Sequence, residues 1–301
     1  MNNFFRLLGV ASCFATAAAF AEMVETPVDD GTVDPLEFEV DFQGAYVTEG
    51  DVYRGSFKID DFEEWNFLGR LLILPRTPVG ILRLGAEYEI YDFDIPEFTQ
   101  LPNKLQSAAL IVGLDTKLSD SLLIRLEAKP GYYFTDDVDG RDFNVPFILG
   151  GTYLYSSTLQ FVFGIGVDLE SQWSVLPGGG VRWKFAPQWV LNATLPTPRL
   201  EYEVSNNFML YLGGDLRGKN FRVDDGFIGD ASEPGNLNGA VLSYMEIRAG
   251  GGLQWRLGEA CKVLVEGGYV PYRQFDYHRA DIRYKSEGGA PYGALSLNLS
   301  F

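Results

Sequence analysis

The chain has 301 residues, of which 46% are hydrophobic and 22% charged, and its formal net charge is −17. This composition excludes a disordered chain. An isoelectric point near 4.4 argues against nucleic acid as a partner, because a phosphate backbone recruits Lys and Arg. Mean hydropathy is close to zero, which is too low for a helical membrane protein. With 34 glycines and 14% aromatic residues, the composition indicates a β-rich protein.

The first 21 residues have the pattern of a secretory signal peptide. Arg6 is the one charged side chain, an apolar stretch covers 7–20, and small residues flank the expected cleavage site. We therefore expect a signal peptide over 1–21 and an exported mature chain. A lipoprotein anchored through Cys13 is the alternative, although the apolar stretch continues well beyond that cysteine. If Cys13 is removed, Cys261 is the one cysteine left, which excludes an intramolecular disulfide.

From residue 36 onward, apolar and polar residues alternate with the period of two that is typical of β-strands. In a clear case, Leu82 and Leu84 alternate with Arg83. We predict about fourteen strands, at 36–47, 64–74, 81–93, 105–115, 121–134, 145–155, 158–169, 175–185, 189–195, 199–204, 208–217, 240–257, 261–272 and 290–301. We interpret the segment from Leu195 to Pro198 as a tight outer turn, because prolines are poorly tolerated inside a central strand, and twelve strands is the alternative to this count.

Strand length and loop length favour a membrane barrel over a soluble sandwich. Most segments are about 10–13 residues long, which matches a tilted strand that crosses a bilayer. Short turns are predicted near 75–80, 116–120, 156–157, 186–188, 205–207 and 258–260, and long acidic loops near 48–63, 94–104, 135–144, 218–239 and 273–289. Two further outer connections, near 170–174 and 196–198, are short. The sequence therefore predicts an all-β, transmembrane antiparallel up-and-down β-barrel over 36–301, preceded by a periplasmic segment over 22–35.

The last strand alternates from Gly293 to Phe301. It resembles the C-terminal strand of Gram-negative outer-membrane proteins, whose terminal Phe is recognised by the barrel assembly machinery. The mature chain also resembles uncharacterised, porin-like outer-membrane barrels related to phenol-degradation-type and fatty-acid-type channels, on Pro177 to Trp183, Pro196 to Pro198 and Tyr202. The resemblance implies that Phe301 is an assembly signal. It also implies a location in the bacterial outer membrane, among its lipid and lipopolysaccharide.

Charged residues of both signs occupy the polar face of several predicted strands. We predict that they line the lumen: Arg83, Glu87, Glu89, Arg125, Glu127, Lys129, Arg182, Lys184, Glu246, Arg248 and Arg256. Side chains of the wall are not expected to fill a lumen of about fourteen strands. We therefore expect a pore or transport channel for small solutes, with a cation preference set by acidic outer loops. A closed structural or adhesive barrel and a lipid-modifying enzyme are the alternatives.

Other motifs point only weakly to chemistry, and no cofactor or metal is expected. His278, the single histidine, has no accompanying G-x-S-x-G motif, so an ordinary loop residue is favoured over a catalytic one. The acidic run 136–142 lacks the closing Glu of a calcium loop, although the loop acids are candidates for binding divalent cations. The triplets Gly178–Gly180 and Gly250–Gly252 are interpreted as strand glycines rather than phosphate loops. Aromatic residues near strand ends indicate interfacial girdles, with a sugar- or aromatic-binding constriction as the alternative: Tyr132, Tyr133, Tyr153, Tyr155, Trp173, Trp183, Trp189, Trp255, Tyr269 and Tyr272.

Overall fold

The computed structural model describes residues 36–96, 99–224 and 237–301, so the predicted signal peptide (1–21) and periplasmic segment (22–35) lie outside the described residues. The described chain forms fourteen antiparallel strands, which confirms the predicted all-β barrel and its strand count. The strands are β1 (Leu36–Arg54), β2 (Phe57–Thr77), β3 (Gly80–Asp94), β4 (Lys104–Ser119), β5 (Leu122–Ala128 and Gly131–Phe134), β6 (Phe143–Asn144 and Phe147–Leu154), β7 (Leu159–Val167), β8 (Val175–Ala186), β9 (Trp189–Asn192), β10 (Arg199–Glu203), β11 (Phe208–Arg222), β12 (Val241–Arg256), β13 (Cys261–Tyr277) and β14 (Ile282–Glu287 and Ala290–Ser300). Among these residues, no helix is long and apolar enough to cross a membrane.

Pairing of the first and last strands closes the sheet. β1 and β14 are in register from Glu39 opposite Ser300 to Val47 opposite Tyr292. At the end of this seam, the backbone N–H groups of Phe38 and Phe301 each donate to the other's carbonyl oxygen, at 3.0 and 2.9 Å. Closure removes the unpaired strand edges that an open sheet would present to its surroundings. We call the end where β1 begins the inner end, and the opposite one the outer end.

Two prolines interrupt neighbouring strands without opening the wall. Pro130 divides β5 and Pro146 divides β6, because proline has no N–H to donate to the sheet. Their carbonyl oxygens still accept hydrogen bonds, from Leu110 N–H and Lys129 N–H respectively, both at 2.9 Å. The sheet is therefore continuous through both interruptions.

The outward face of the barrel is apolar and ends in aromatic residues. Side chains such as Phe42, Leu71, Leu110 and Phe163 are exposed on the outer surface of the wall. Several predicted girdle residues are exposed near the strand ends: Tyr155, Trp183, Trp189 and Trp255 at the inner end, and Trp173 towards the outer end. Tyr133 is an exception, since it is buried in the interior.

Two predicted outer loops are largely strand. The 48–63 segment continues β1 and β2 to a tight turn at Gly55, where φ is +59°, and the 273–289 segment continues β13 and contains the first part of β14. The expectation of long loops over 48–63 and 273–289 was wrong, because the acidic residues that suggested loops share these hairpins with buried apolar side chains. Val52 and Ile59 are each 1% exposed. Of the 218–239 segment, residues 218–222 extend β11, and 225–236 lie outside the described residues.

The interior of the outer half is packed, contrary to the expectation that wall side chains would leave the lumen unfilled. We call this cluster the outer core; it comprises Val52, Ile59, Phe62, Tyr91, Phe93, Ile95, Leu101, Leu105, Ala109, Tyr133, Phe221, Val223, Leu237, Leu242, Tyr244, Phe275, Tyr277, Ile282 and Tyr284. The barrel narrows here because β11 reaches across to β5, where Arg222 pairs with Phe134. Nine aromatic side chains then fill the narrowed space.

Phe93 tests how much the outer core stabilises the barrel. Its ring lies 5.2–5.6 Å from the rings of Phe62, Tyr244 and Phe275 and is 2% exposed. We expect Phe93→Ala to lower the free energy of unfolding by about 3–5 kcal/mol, since it opens a cavity. Unfolding in urea, followed by the gel shift between folded and boiled barrel, measures this. The exposed Phe67→Ala is the control, and an equal loss in both variants would contradict the assignment.

Candidate functional site in the barrel interior

A charged cavity occupies the inner part of the lumen. Its volume is about 1010 Å³, and its wall extends from the inner turns at Gln188 and Asn206 to Thr197, in the turn between β9 and β10. These two strands are only four and five residues long. The cavity therefore reaches the outer rim of the barrel on this side, where the wall is lowest.

The charged residues that line the cavity are seven basic and five acidic: Arg70, Arg83, Arg125, Arg182, Arg199, Arg256 and Lys262, against Glu37, Glu39, Asp115, Glu201 and Glu203. Arg125 and Asp115 form a bidentate pair with bonds of 2.6 and 2.7 Å. Arg182 and Glu201 are 3.6 Å apart. The lining thus carries a small net positive charge, although the chain as a whole is strongly acidic.

A second group of charges lies between the cavity and the outer core. Glu64 on β2 accepts hydrogen bonds from Tyr244 Oη at 2.7 Å, and its carboxylate lies 2.9 Å from Arg273 Nη2 and 3.4 Å from Arg248 Nη2. Glu246 also contacts Arg248 and Arg273. All five residues are almost completely excluded from solvent. Charges buried this deeply are tolerated only because each has a partner.

Lys219 on β11 forms the centre of a third group. Its Nζ lies 2.6 Å from Glu89 Oε2, 3.5 Å from Glu87 Oε1 and 2.9 Å from Ser107 Oγ. Glu87 is also paired with Lys129 on β5, at 2.8 Å. The Lys219 side chain is only 9% exposed.

Many of these contacts cross the lumen. In the ring order, β3 and β11 are separated by five strands on one side and seven on the other, so they face each other. Lys219 therefore joins opposite walls, as does the 3.0 Å bond from Arg217 Nη1 on β11 to Asn66 Oδ1 on β2. We call the groups around Glu64 and Lys219, together with Arg217 and Asn66, the ionic layer. Within the part of the chain that the structure describes, this layer and the outer core fill the lumen above the cavity.

The structure distributes the predicted lumen residues between two levels. Arg83, Arg125, Arg182 and Arg256 line the cavity, with Lys184 paired to Glu203 at its margin and Glu127 paired to Arg83 at 3.0 Å. Glu87, Glu89, Lys129, Glu246 and Arg248 belong to the ionic layer. The sequence interpretation missed Glu64, Arg217, Lys219 and Arg273. Glu64 and Arg217 lie at the ends of predicted strands, whereas Lys219 and Arg273 lie just beyond them. Alternation that continues past the predicted ends was the available signal for these two, as in Asp215, Arg217, Lys219 and Phe221, which are every second residue.

The other motifs lie apart from the lumen charges. His278 is in the turn after β13, and its pKa is lowered by burial and by the neighbouring Arg279. The acidic run 136–142 forms an outer loop around a short 3₁₀ turn at Gly140–Asp142. No group of three or more His, Cys, Asp or Glu is arranged for a metal within the described ranges.

The second glycine triplet accommodates aromatic rings inside the barrel. A Cβ at Gly252 would lie 2.6 Å from the Tyr211 ring, and one at Gly250 would lie 3.0 Å from Tyr292 Oη. These glycines therefore leave the space that the rings occupy against the wall. Tyr211 in turn supports the cavity lining, because the Arg199 guanidinium lies 4.2 Å from its ring centroid.

Comparison with protein families identifies the chain. A family described as a domain of unknown function (DUF6268) matches residues 79–288, which is more than half of the sequence. The chain belongs to this family. No curated protein matches it.

Solved structures with a similar barrel have low sequence identity. An outer-membrane channel named COG4313, from Pseudomonas putida F1, aligns with a TM-score of 0.47 and 11% identity, covering 92% of this chain and 100% of that one. The toluene transporter TodX of P. putida aligns at 0.41 and 9%, covering 97% and 94%. A KdgM porin in complex with disordered oligogalacturonate aligns at 0.37 and 10%, covering 87% and 99%.

Arg248 tests whether the ionic layer depends on mutual pairing. We expect Arg248→Met to lower the free energy of unfolding by about 3–5 kcal/mol, because it leaves Glu64 and Glu246 with too little compensating charge. Arg141→Met is the control: its pair with Asp139 is half exposed, so a loss below about 1 kcal/mol is expected. Urea unfolding of both variants measures the difference. Equal losses of unfolding free energy in the two variants would contradict the idea that the buried charges depend more on their partners than exposed charges do.

Proposed function

We propose that this protein is an outer-membrane channel for small solutes that is closed in the conformation described. The observation that carries this proposal is the charged cavity of about 1010 Å³ inside the barrel. Ion pairs such as Arg125 with Asp115 border this volume without filling it, so their polar groups can also contact water or a polar solute. The cavity therefore offers a polar solute a place within the lumen.

Several features support the membrane location within this proposal. Apolar side chains cover the outward face, and exposed tryptophans lie near the strand ends, as in barrels that cross a bilayer. The predicted signal peptide would direct the chain to the envelope of a Gram-negative cell, and outer-membrane lipid and lipopolysaccharide would surround it. A transport role without catalysis is in keeping with the place of His278, on a turn away from the cavity.

The packed outer half favours a second candidate, a permanently closed structural barrel. Nineteen buried residues form the outer core, and the ionic layer lies beneath it. The two candidates differ in what the ionic layer does. In a channel, its polar contacts separate and become hydrated when the path opens, whereas in a structural barrel they stay in place.

In the open state, we propose a preference for cations, set at the outer mouth. Exposed acids such as Asp61 and Asp137 lie on the outer hairpins and loops, and Glu97, Asp225, Asp230 and Glu233, which the sequence also places there, lie outside the described residues. Acidic groups around a mouth raise the local cation concentration over a Debye length of about 8 Å at physiological salt. The cavity lining has a small positive excess, so the bias comes from the mouth alone.

Ion selectivity tests both the channel and the source of its preference. Purified protein in a planar bilayer should give single-channel steps, with a cation-selective reversal potential in a salt gradient. We expect the pair Asp61→Asn and Asp137→Asn to reduce this potential, most clearly at low salt. The matched pair Asp120→Asn and Glu259→Gln removes two exposed acids from inner turns and should leave it unchanged. Absence of conductance favours the structural barrel, and anion selectivity would overturn the proposed preference.

Phe301 tests the proposed partnership with the assembly machinery. Its side chain is 67% exposed, so it adds little packing to the folded barrel. We expect Phe301→Ala to lower the amount of heat-modifiable barrel in outer membranes several-fold, because recognition during assembly is lost. Phe38→Ala, which changes the residue opposite it in the seam, is the control. Normal membrane levels of the Phe301 variant would refute its role as a signal.

A further inference from the structure

The outer half of β11, Arg217–Arg222, lies inside the molecule, although the first half of the same strand forms part of the barrel wall. Lys219, Asn220 and Phe221 are 8%, 2% and 2% exposed, so consecutive residues are buried on both faces of the strand. A strand at the surface of a barrel buries only every second side chain. This segment is therefore covered on both faces.

One face of the segment contacts the opposite wall. Lys219 binds Glu87 and Glu89 on β3 and Ser107 on β4. At the tip of β11, Arg222 pairs with Phe134 of β5 in a single parallel bridge. The segment thus crosses above the part of the lumen that the cavity occupies.

The other face is covered by the turn that follows β7. Asn220 Nδ2 donates to Asp168 Oδ2 at 2.6 Å, and Arg222 Nη2 lies 2.8 Å from Glu170 Oε1. The outermost part of the cavity lining is Thr197. Its turn lies beside β11, because Leu216 N–H donates to the carbonyl oxygen of Pro196 at 3.0 Å. A route from the cavity to the outer surface passes the low rim and meets this segment.

Attachment of β11 to its neighbour on the low side ends before this segment begins. Strand pairing with β10 stops at Gly213, and the last backbone bonds on that side come from Gly214 and Leu216 to the turn residues Pro198 and Pro196. Beyond them, β12 holds the segment on its other edge as far as Arg222, and β12 is itself paired with β13 from Ser243 to Arg256. Outward movement of the outer half of β11 therefore hinges near Leu216, breaks the bridge from Arg222 to Phe134, and carries β12 together with its partner β13.

We propose that Lys219 holds the lumen closed, and that outward movement of the β11 outer half, with β12, opens the path past Thr197. This proposal rests on the proposed channel function. Glu87 keeps Lys129 as a partner when Lys219 moves away, whereas Glu89 loses its cation and becomes hydrated. Lys129 belongs to β5, two strands from β3, so its pair with Glu87 stays on one wall and does not bridge the lumen.

The test compares two lysines that share the Glu87 carboxylate. Lys219→Met is expected to raise the time-averaged single-channel conductance at least tenfold, because Glu87 and Glu89 then repel and draw water into the layer. Lys219→Arg, which keeps the charge, should stay near the wild type. Lys129→Met is the matched control and should also stay within about twofold. Heat-modifiable migration on gels identifies the variants that fold.

A tether makes the proposal testable even if Lys219→Met does not fold. In a Cys261→Ser background, Asn220→Cys with Asp168→Cys places two thiols where side chains are in direct contact. Oxidation of this pair should abolish openings, and reduction should restore them.

The outcomes separate this proposal from the function on which it rests. An increase in conductance in Lys219→Met but not in Lys129→Met supports the closure by Lys219. Loss of channel openings when the engineered cysteine pair is oxidised also supports it. Conductance that Lys219→Met and Lys129→Met change equally, or that the tether leaves unchanged, overturns the closure but leaves the channel. A wild type and variants that never conduct overturn the channel itself, and the closure with it.

Discussion

A strand edge in hydrocarbon would leave each unpaired N–H and C=O group without a partner, at a cost of several kcal/mol for each. The pairing of β1 with β14 removes that edge, and the rest of the architecture follows from it. Once the sheet is closed, each strand has an outward and an inward face. The alternation of the sequence therefore sends charged side chains to the interior, where they need partners.

How these interior charges find partners differs between the two levels of the lumen. Around the cavity, pairs such as Arg125 with Asp115 lie on neighbouring strands and leave the centre open. In the ionic layer, the narrowing of the barrel brings opposite walls close enough for Lys219 to reach Glu89. Buried pairs of this kind contribute little net stability, but breaking one is costly, so they suit a contact that defines one particular state.

The sequence predicts the strands well because alternation is a local property. All fourteen predicted segments overlap the observed strands, and the short inner turns agree. It failed at the outer end, where acidic residues such as Asp51 and Asp60 suggested solvated loops but belong to the outward parts of long hairpins. Local composition does not distinguish a polar residue in a loop from one on the exposed face of a hairpin.

The lumen contacts were beyond prediction for a different reason. Lys219 and Glu89 are 130 positions apart, and their meeting depends on the ring order and on the inward course of β11. The alternation of Arg217, Lys219 and Phe221 indicated a strand, but not which wall it would touch. The packed outer half follows from the same long-range geometry, since strand number alone predicts a wider lumen.

The short strands β9 and β10 have a consequence for the lipid around the proposed channel. Four and five residues at about 3.3 Å each extend about 13–17 Å, and backbone hydrogen bonds of Ala193 and Leu195 to β8 continue the wall a little beyond the two strands. The apolar band of an outer-membrane barrel is about 25 Å tall. In the proposed membrane location, the acyl chains beside this sector would meet the lowest part of the wall and would compress or tilt there. The barrel would thus be surrounded by an uneven ring of lipid, thinnest where the cavity reaches the rim.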